Sequence, residues 1–596
     1  MGSLKRTIRR TKNYIFIKTY KRPLLFVIVL MVLVNLTILA IAALLALGID
    51  DTYSNFFDAF FNGSLKWMLS PNAILTITDP RMLALAVTIL IIGLILFSGT
   101  IIALTTNAIK EYFQTKKDNA GKIDLDDHIV IINWNSKVPE LVSDLLYLDA
   151  KALTIMIVTR FDKAQAEALI LNALKREEKQ RDLVNLNVLV KQADPLLIAN
   201  LRDISIQNAK AVIVMNKEGS TDLHVIKNVL TLSQIRFRYA PQIVIEIANA
   251  KSDEKLRTLA NVIKDLGEHT ILPVCFDQRL GQIIAQTMIE ERLEPLYHAL
   301  FSFEGSEVYR VPGASFETVI QTHSHAIPVM TYNDDTFALS QNRETAVRTF
   351  TKPLSPAVTL KFVLPSPKND FDILIIGANN KLRYIKEVFL HYEALANTRL
   401  QLFAFDHAQI VDAVRQLNEA TRLMKVLLLS DEATDPANLD EAIFETLIYL
   451  ETHLTNPDVS IVVEILNPKH QTMIQGFRIK HTIISNKIIS LLLSKLAFDV
   501  DTERFYHRLL TIDSEAKADL QSVVIWSASE VLGHPFPISF DSIKHFVSSV
   551  YESSQKRFVV LGLFRHKKLH VFEGDMTQGV FDLQADDELV LMRVSE

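Results

Sequence analysis

The sequence predicts an α-helical two-span membrane pore domain followed by an α/β body of two tandem Rossmann-like units, each with a small β-rich lobe. Three observations predict it. Two long apolar runs, Leu24 to Leu47 and Met82 to Ile109, contain no charged residue. After them, short β-branched runs alternate with helical patterns. That alternation is written twice, with matching strings in the same order.

Each apolar run, at about 1.5 Å of rise per residue, is long enough to cross a hydrocarbon core of roughly 30 Å. The flanks set the orientation. Lys5, Arg6, Arg9, Arg10, Lys12, Lys18, Lys21 and Arg22 precede the first run with no acid among them, and Lys110, Lys116 and Lys117 follow the second. Both termini are therefore expected on the cytoplasmic side of the cell membrane. The expected boundaries are a basic N-terminal segment at 1–22 and a pore domain at 23–118, with spans at 24–47 and 82–109. A cleaved signal peptide competes for the N-terminus, but the run is too long for a signal core and no small-residue cleavage pattern follows it. Cys275 is the one cysteine in 596 residues, so no disulfide framework forms within the chain. The net charge of −5 is small. Concentrated positive charge lies only beside the membrane, where anionic lipid accounts for it and nucleic acid is not expected.

Residues 53–78 read as a re-entrant loop. Phe56, Phe57, Phe60 and Phe61 recur at spacings that predict one aromatic face of a short helix. A non-helical stretch, Leu69 to Thr78, leads to Asp79-Pro80 and the second span. Irregular backbone at membrane depth is tolerated only inside protein or beside water. Leu69, Ser70, Pro71, Asn72 and Ala73 are thus the predicted selectivity residues, with an extracellular loop and interfacial helix as the open alternative. The loop lacks a Thr-Val-Gly-Tyr-Gly ladder and carries no carboxylate from Trp67 to Thr78, so neither stacked carbonyl rings nor a strong divalent-selecting ring is indicated. Asp79 is either an acidic ring at the outer mouth or a helix-start residue. Gly93 and Gly99 are candidate inner-helix hinges, with simple helix packing as the other reading. Two spans cannot wall a water-filled path, so a channel requires a ring of copies; a homotetramer supplies eight spans and four loops.

In the body, the first unit reads Ile129 to Asn135, Leu153 to Val158, Val188 to Val190, Ala211 to Met215 and Gln242 to Asn249. The second reads Asp372 to Gly377, Gln401 to Asp406, Val426 to Leu429 and Ser460 to Asn467. Apolar strands without polar alternation imply parallel sheets covered on both faces. Ile-Val-Ile-Glu-Ile-Ala-Asn in one copy answers Ile-Val-Val-Glu-Ile-Leu-Asn in the other, and His269-Thr-Ile-Leu answers His481-Thr-Ile-Ile; a duplication follows. The expected divisions are 126–303 with a lobe at 304–368, and 370–521 with a lobe at 522–596.

Candidate ligand residues are sparse. The first strand of unit one runs into Asn133-Trp-Asn-Ser-Lys-Val-Pro139 with no glycine, and Arg160 stands where a ribose-binding acid is expected. Unit two offers Gly377 and Asp406 as possible nucleotide-binding residues, although a lone glycine and a surface aspartate need no ligand. Asp194, Glu246, Asp431, Glu432 and Glu464 are possible oxygen ligands for a regulatory Ca²⁺, against the commoner role of solvated acids. His323 and His325 alternate as on a strand, with loop histidines as the plainer reading. The mixed-sign stretch Lys175 to Arg181 reads as a solvated helix face. With no complete dinucleotide fingerprint and no nucleophile, base or metal cluster, an enzyme is not expected.

Several strings together resemble the CASTOR/POLLUX-type ion channels and their bacterial relatives, built on a pore domain with tandem RCK (regulator of K⁺ conductance) domains. They are His128 to Asn135, Asp194 to Asp203 with Asn208 to Val214, Arg279 to Gln286, Phe301 to Tyr309, Leu428 to Ala433, and Val463 to Asn467 with Ile484 to Ile489. The resemblance implies a tetrameric cation channel with a cytoplasmic gating ring, and Ca²⁺ regulation in the plant members. It departs in two respects: plant members look to have an acidic, glycine-containing filter and additional membrane segments. A membrane-anchored nucleotide-binding regulator of a separate transporter is the alternative function, and a membrane-bound oxidoreductase a weaker one.

Overall fold

The computed structural model describes residues 23–49, 52–117, 122–148, 152–177, 185–217, 221–262, 271–303, 305–349, 354–365, 371–392, 398–430, 440–477, 479, 481–511, 522–572 and 579–594. The basic segment 1–22, Asp431 and Glu432 lie outside the described residues. The chain divides into two compact units, Met1–Gly121 and Lys122–Glu596.

The first compact unit is a helical hairpin. Helix α1 is Pro23–Ile49, 27 residues, and α2 is Pro80–Lys117, 38 residues. Among the described residues no helix is long and apolar enough to cross a membrane; the side chains of 23–32 and most of 96–117 lie outside the described residues. Between the helices, residues 56–69 form one continuous helical stretch with a π-helical centre, Ala59–Leu65. The expected single aromatic face is corrected: Phe57 and Phe61 are exposed while Phe56 and Phe60 are half-buried, their tilted rings 6.1 Å apart.

The second compact unit holds two parallel Rossmann-like sheets. The first contains β1 His128–Ile132, β2 Ala152–Thr159, β3 Asn185–Gln192, β4 Ala209–Val214, β5 Gln242–Ile247 and β6 Ile271–Cys275, in the order β3-β2-β1-β4-β5-β6. Alternate β1 residues enter different cores: Ile129 and Ile131 one cluster, Val130 and Ile132 another. Both faces of the sheet are therefore covered, which is why its strands read as unbroken β-branched runs. Three strands follow as an antiparallel sheet, β7 Glu307–Val311, β8 Ile327–Tyr332 and β9 Asp335–Ser340, in the order β7-β9-β8.

The second sheet contains β10 Phe371–Ile376, β11 Leu400–Phe403, β12 Leu423–Leu428, β13 Val459–Ile465 and β14 His481–Ile484, in the order β11-β10-β12-β13-β14. Among the described residues it repeats the first sheet without a counterpart of β3. The last lobe is antiparallel: β15 Val523–Ser527, β17 Phe558–Arg565, β18 Lys568–Val571 and β20 Glu588–Arg593 in one sheet, β16 Ile538–Phe540 and β19 Phe581–Leu583 in another.

One string correspondence is corrected by register. Val244 pairs with Leu272 and Glu246 with Val274, whereas Val462 pairs with His481 and Glu464 with Ile483. Counted from the glutamates, His481 stands where Leu272 does; His269 lies outside the described residues.

The two Rossmann-like units pack on each other through exchanged helices. Helix α3 Val138–Asp144 follows β1, α4 Phe276–Ile289 follows β6, α5 Phe316–Thr322 lies in the first lobe, α6 Leu382–His391 follows β10, α7 Ser485–Phe498 follows β14, and α8 Ile543–Ser553 lies in the last lobe. Helix α4 lies so close to α6 that a Cβ on Gly281 would sit 2.7 Å from Tyr384 Cβ and 3.0 Å from the Lys381 carbonyl. At the equivalent place of α7, Ser490 donates its hydroxyl to the Lys137 carbonyl at 3.1 Å. A single apolar cluster consequently runs through Ile129 and Ile131 of one sheet and Ile373 and Ile375 of the other.

Candidate functional site

The loop after the helical stretch is a compact turn. Ser70 is extended, and Pro71–Ala73 close one 3-10 turn, with the Ala73 amide donating to the Ser70 carbonyl at 3.0 Å and the Ile74 amide to the Pro71 carbonyl at 3.2 Å. The Ala73 carbonyl accepts from the Thr76 hydroxyl at 3.1 Å. The Ser70, Pro71 and Ala73 carbonyls are thus engaged within the loop, whose Ser70 side chain is half-buried and Asn72 side chain exposed. Leu69 is 70% exposed. Trp67, by contrast, is buried against Ala46, Ile74, Met82 and Ala86. Asp79 caps α2: its Oδ1 accepts the Arg81 amide at 2.6 Å and the Met82 amide at 3.3 Å, which satisfies first-turn N–H groups that would otherwise lack partners. Gly93 is buried and is a packing notch, with Met68 filling the space a Cβ would take. The surroundings of Gly99 lie outside the described residues.

At the carboxyl edge of each sheet, where a dinucleotide's pyrophosphate meets a Rossmann fold, the chain supplies its own charges. In unit one Asn135 donates through Nδ2 to the Glu246 carboxylate and to the Asn216 carbonyl, both at 2.8 Å. Its Oδ1 accepts the Lys137 amide at 3.1 Å, and the Lys137 ammonium reaches Glu246 at 2.7 Å. Unit two repeats this atom for atom. Asn379 donates to the Ser430 carbonyl at 2.8 Å and to Glu464 at 3.2 Å, accepts the Lys381 amide at 3.0 Å, and Lys381 meets Glu464 at 3.1 Å. Asp222 and Asp440, each 24 residues before its glutamate, accept two amides just beyond β5 and β13.

These clusters correct the Ca²⁺ assignment at Glu246 and Glu464. Both residues are buried, and each carboxylate faces an ammonium rather than open space. Burial alone would push the Glu464 carboxyl up; the Lys381 ammonium and the Ser485 and Ser430 hydroxyls outweigh it and hold the group below the usual carboxylate range. Asp194 is likewise engaged, its carboxyl held low chiefly by the hydrogen bond from the Arg160 guanidinium. Among the described residues no group of three or more His, Cys, Asp or Glu side chains is placed to hold a metal.

Gly377 has φ +98°, and a Cβ there would lie 2.2 Å from the Leu429 carbonyl and 2.5 Å from the Phe405 ring. Glycine is therefore required by the turn and by its packing against Leu429 and Phe405. Asn133 adopts φ +72° at the matching position, held by a 2.9 Å bond from its amide group to the Met215 carbonyl. Trp134 and Phe161 stack beside it at 5.0 Å. Asp406 is exposed at the start of a helix.

The two lobes are clasped by α8. The Lys544 ammonium donates to the Val319 and His323 carbonyls at 2.9 and 2.6 Å, satisfying the C-terminal end of α5. His545 contacts the Pro356 carbonyl at 2.7 Å, and Ser549 and Ser553 accept the amides of Val358 and Leu360 at 2.9 Å. A cavity of about 370 Å³ opens alongside, lined by Phe316, Glu317, Gln321, Ser548, Tyr551 and Glu552 among others. His323 is buried, not a strand-borne metal ligand; burial and Lys544 push its pKa down.

Burial lowers the Lys544 ammonium to about 7. The unfolded chain keeps that proton to about 10.4, so between about pH 7 and 10 the unfolded state binds more protons and stability rises with pH. Lys544→Met is expected to flatten that rise, measured as the unfolding midpoint of the full chain across the same range. An unchanged slope would remove Lys544 as its source.

No family model matches the chain. The probable ion channel CASTOR of Oryza sativa subsp. japonica is 20% identical over 591 residues, covering 83% of this chain and 63% of the relative. The ion channel POLLUX of Lotus japonicus is 20% identical over 503 residues, covering 70% of this chain and 54% of the relative. The chain thus spans 63% and 54% of the length of these curated relatives, under two thirds in each. Among solved structures, the GsuK channel bound to NAD aligns with 96% of this chain and 98% of its own, at 13% identity and a TM-score of 0.39. The resemblance drawn from the ordered strings is borne out: the chain is similar to the CASTOR/POLLUX-type ion channels over most of its length.

Proposed function

We propose that the chain is the subunit of a cation channel whose pore is opened or closed by a cytoplasmic, ligand-sensing body. In this reading 23–118 is the pore domain, crossing the membrane twice with both ends cytoplasmic, and 126–303 with 304–368 and 370–521 with 522–596 are two RCK domains with their lobes. Four copies enclose the path. The observation that carries it is the hairpin itself: two long helices bracket a short helix and an irregular turn, in a chain similar to named ion channels. Ser70 and Asn72 supply the polar lining, and the engagement of the Ser70, Pro71 and Ala73 carbonyls within the loop argues against a dehydrating carbonyl ladder.

The duplicated body supports a rigid role for the Rossmann-like pair and a sensing role for the lobes. Each unit holds a buried ion pair of its own and the two pack through exchanged helices, while the lobes meet across an open cavity and a titratable clasp. A ligand that prefers one lobe arrangement shifts the pore by its difference in affinity between states.

Cutting the chain after Lys117 is expected to leave cation flux in reconstituted vesicles while abolishing any change on adding Ca²⁺ or adenine nucleotides to the basic side. Equal responses of truncated and intact protein would deny the body a gating role. A membrane-anchored regulator would give no flux from either.

A further inference from the structure

We propose that Met68 and Gly93 form the joint that ties the re-entrant loop to α2, so that a displacement of this helix is passed to residues 69–73; the joint rests on the channel reading. Gly93 lies inside α2, where glycine costs about 1 kcal/mol relative to alanine. Its use is visible in what occupies the gap. A Cβ on Gly93 would lie 2.6 Å from Met68 Cγ, 3.3 Å from Cε and 3.6 Å from the sulfur. The thioether chain is seated in the notch that the missing side chain leaves.

Met68 immediately precedes the loop residues Leu69 to Ala73. Its neighbour Trp67 grips the same helix nearer its start, at Met82 and Ala86, while Met68 packs with Phe60, Leu65 and Leu85 over Leu39, Ala42 and Ile89. The Ser64 hydroxyl donates to the Leu39 carbonyl at 2.9 Å and holds the short helix on α1. The far end of the loop enters α2 covalently at Asp79-Pro80. One helix therefore holds the loop at both ends, through the chain at Pro80 and through the Met68 seat at Gly93, roughly 20 Å along the axis. A tilt or slide of α2 cannot leave residues 69–73 where they are. Gly93 is a point of transmission, not a hinge.

The test is single-channel recording of the purified full chain in symmetrical KCl. Gly93→Ala forces a methyl into a filled seat and is expected to lower the spontaneous open probability about fivefold or more. Met68→Ala empties the seat without overpacking it, and is expected to change open probability by a similar factor. The Gly93→Ala, Met68→Ala double variant refills the notch and is expected to return to within about twofold of the unaltered chain. Additive effects of the two substitutions, or a Met68→Ala variant that behaves as the unaltered chain, would overturn the joint while leaving the channel standing. An unaltered chain that passes no current would overturn the channel reading, and the joint with it. Size-exclusion profiles identify any variant that fails to assemble, in which case Met68→Ala alone decides.

Discussion

Asn72→Lys is expected to abolish cation flux while the oligomer stays intact. Asn72 is exposed in the turn Pro71–Ala73, and the neighbouring carbonyls already serve the loop's own bonds. In a ring of copies the substitution adds one ammonium per subunit to the path. At roughly 5 Å and an effective dielectric near 20, each repels a monovalent cation by about 3 kcal/mol. About 4 kcal/mol on a barrier already slows passage about a thousandfold, so four such charges close the path to cations. Asn72→Asp carries the opposite sign and is expected to conserve or raise flux. Vesicle flux assays with size-exclusion profiles decide this. If Asn72→Lys conducts like the unaltered chain, residues 69–73 do not line the path.

Glu464→Ala is expected to cost the body about 3–5 kcal/mol of stability, because it strands a fully buried ammonium. The Lys381 side chain has no exposed surface, and Glu464 is its counter-charge at 3.1 Å. Glu246→Ala is expected to act in the same direction on Lys137, which lies 2.7 Å from its carboxylate and 3.8 Å above the Phe276 ring. Replacing both members of the unit-two pair, Lys381→Met with Glu464→Leu, is expected to recover only part of the loss: no charge is left unpaired, but the Asn379, Ser430 and Ser485 donors lose their acceptor. Denaturant unfolding of the full chain is the measurement. A loss under about 1 kcal/mol for Glu464→Ala would mean that water reaches Lys381 and that the cluster is no lock.

The distinction between what was legible in the sequence and what was not follows from the range of the interactions. Ile129 to Ile132 and Ile373 to Ile376 read as buried parallel strands because each residue's own apolarity reports its burial. The missing counterpart of β3 showed as one fewer β-branched run in the second copy. Glu246 and Glu464 stood out as acids inside apolar strands, yet their role did not. Their lysines lie about a hundred positions earlier in the chain, and Asn135-Ser-Lys137 and Asn379-Asn-Lys381 look like ordinary loop residues until the sheet brings them to the glutamates. The repeated Asn-x-Lys spacing was the available signal. The π segment at Ala59–Leu65 leaves no mark in the apolar spacing, so it was not legible. Gly93 was singled out with hinge and packing both open, since the side chain that fills the gap, Met68, belongs to another helix.

The central claim, that several copies of this hairpin enclose a water-filled path for cations, is tested most directly by recording from the purified full chain in a planar bilayer. The account predicts discrete unitary currents that reverse at the cation equilibrium potential under a salt gradient and vanish in Asn72→Lys. A pure, correctly inserted protein that leaves the bilayer silent, or currents indifferent to the charge at Asn72, would contradict it.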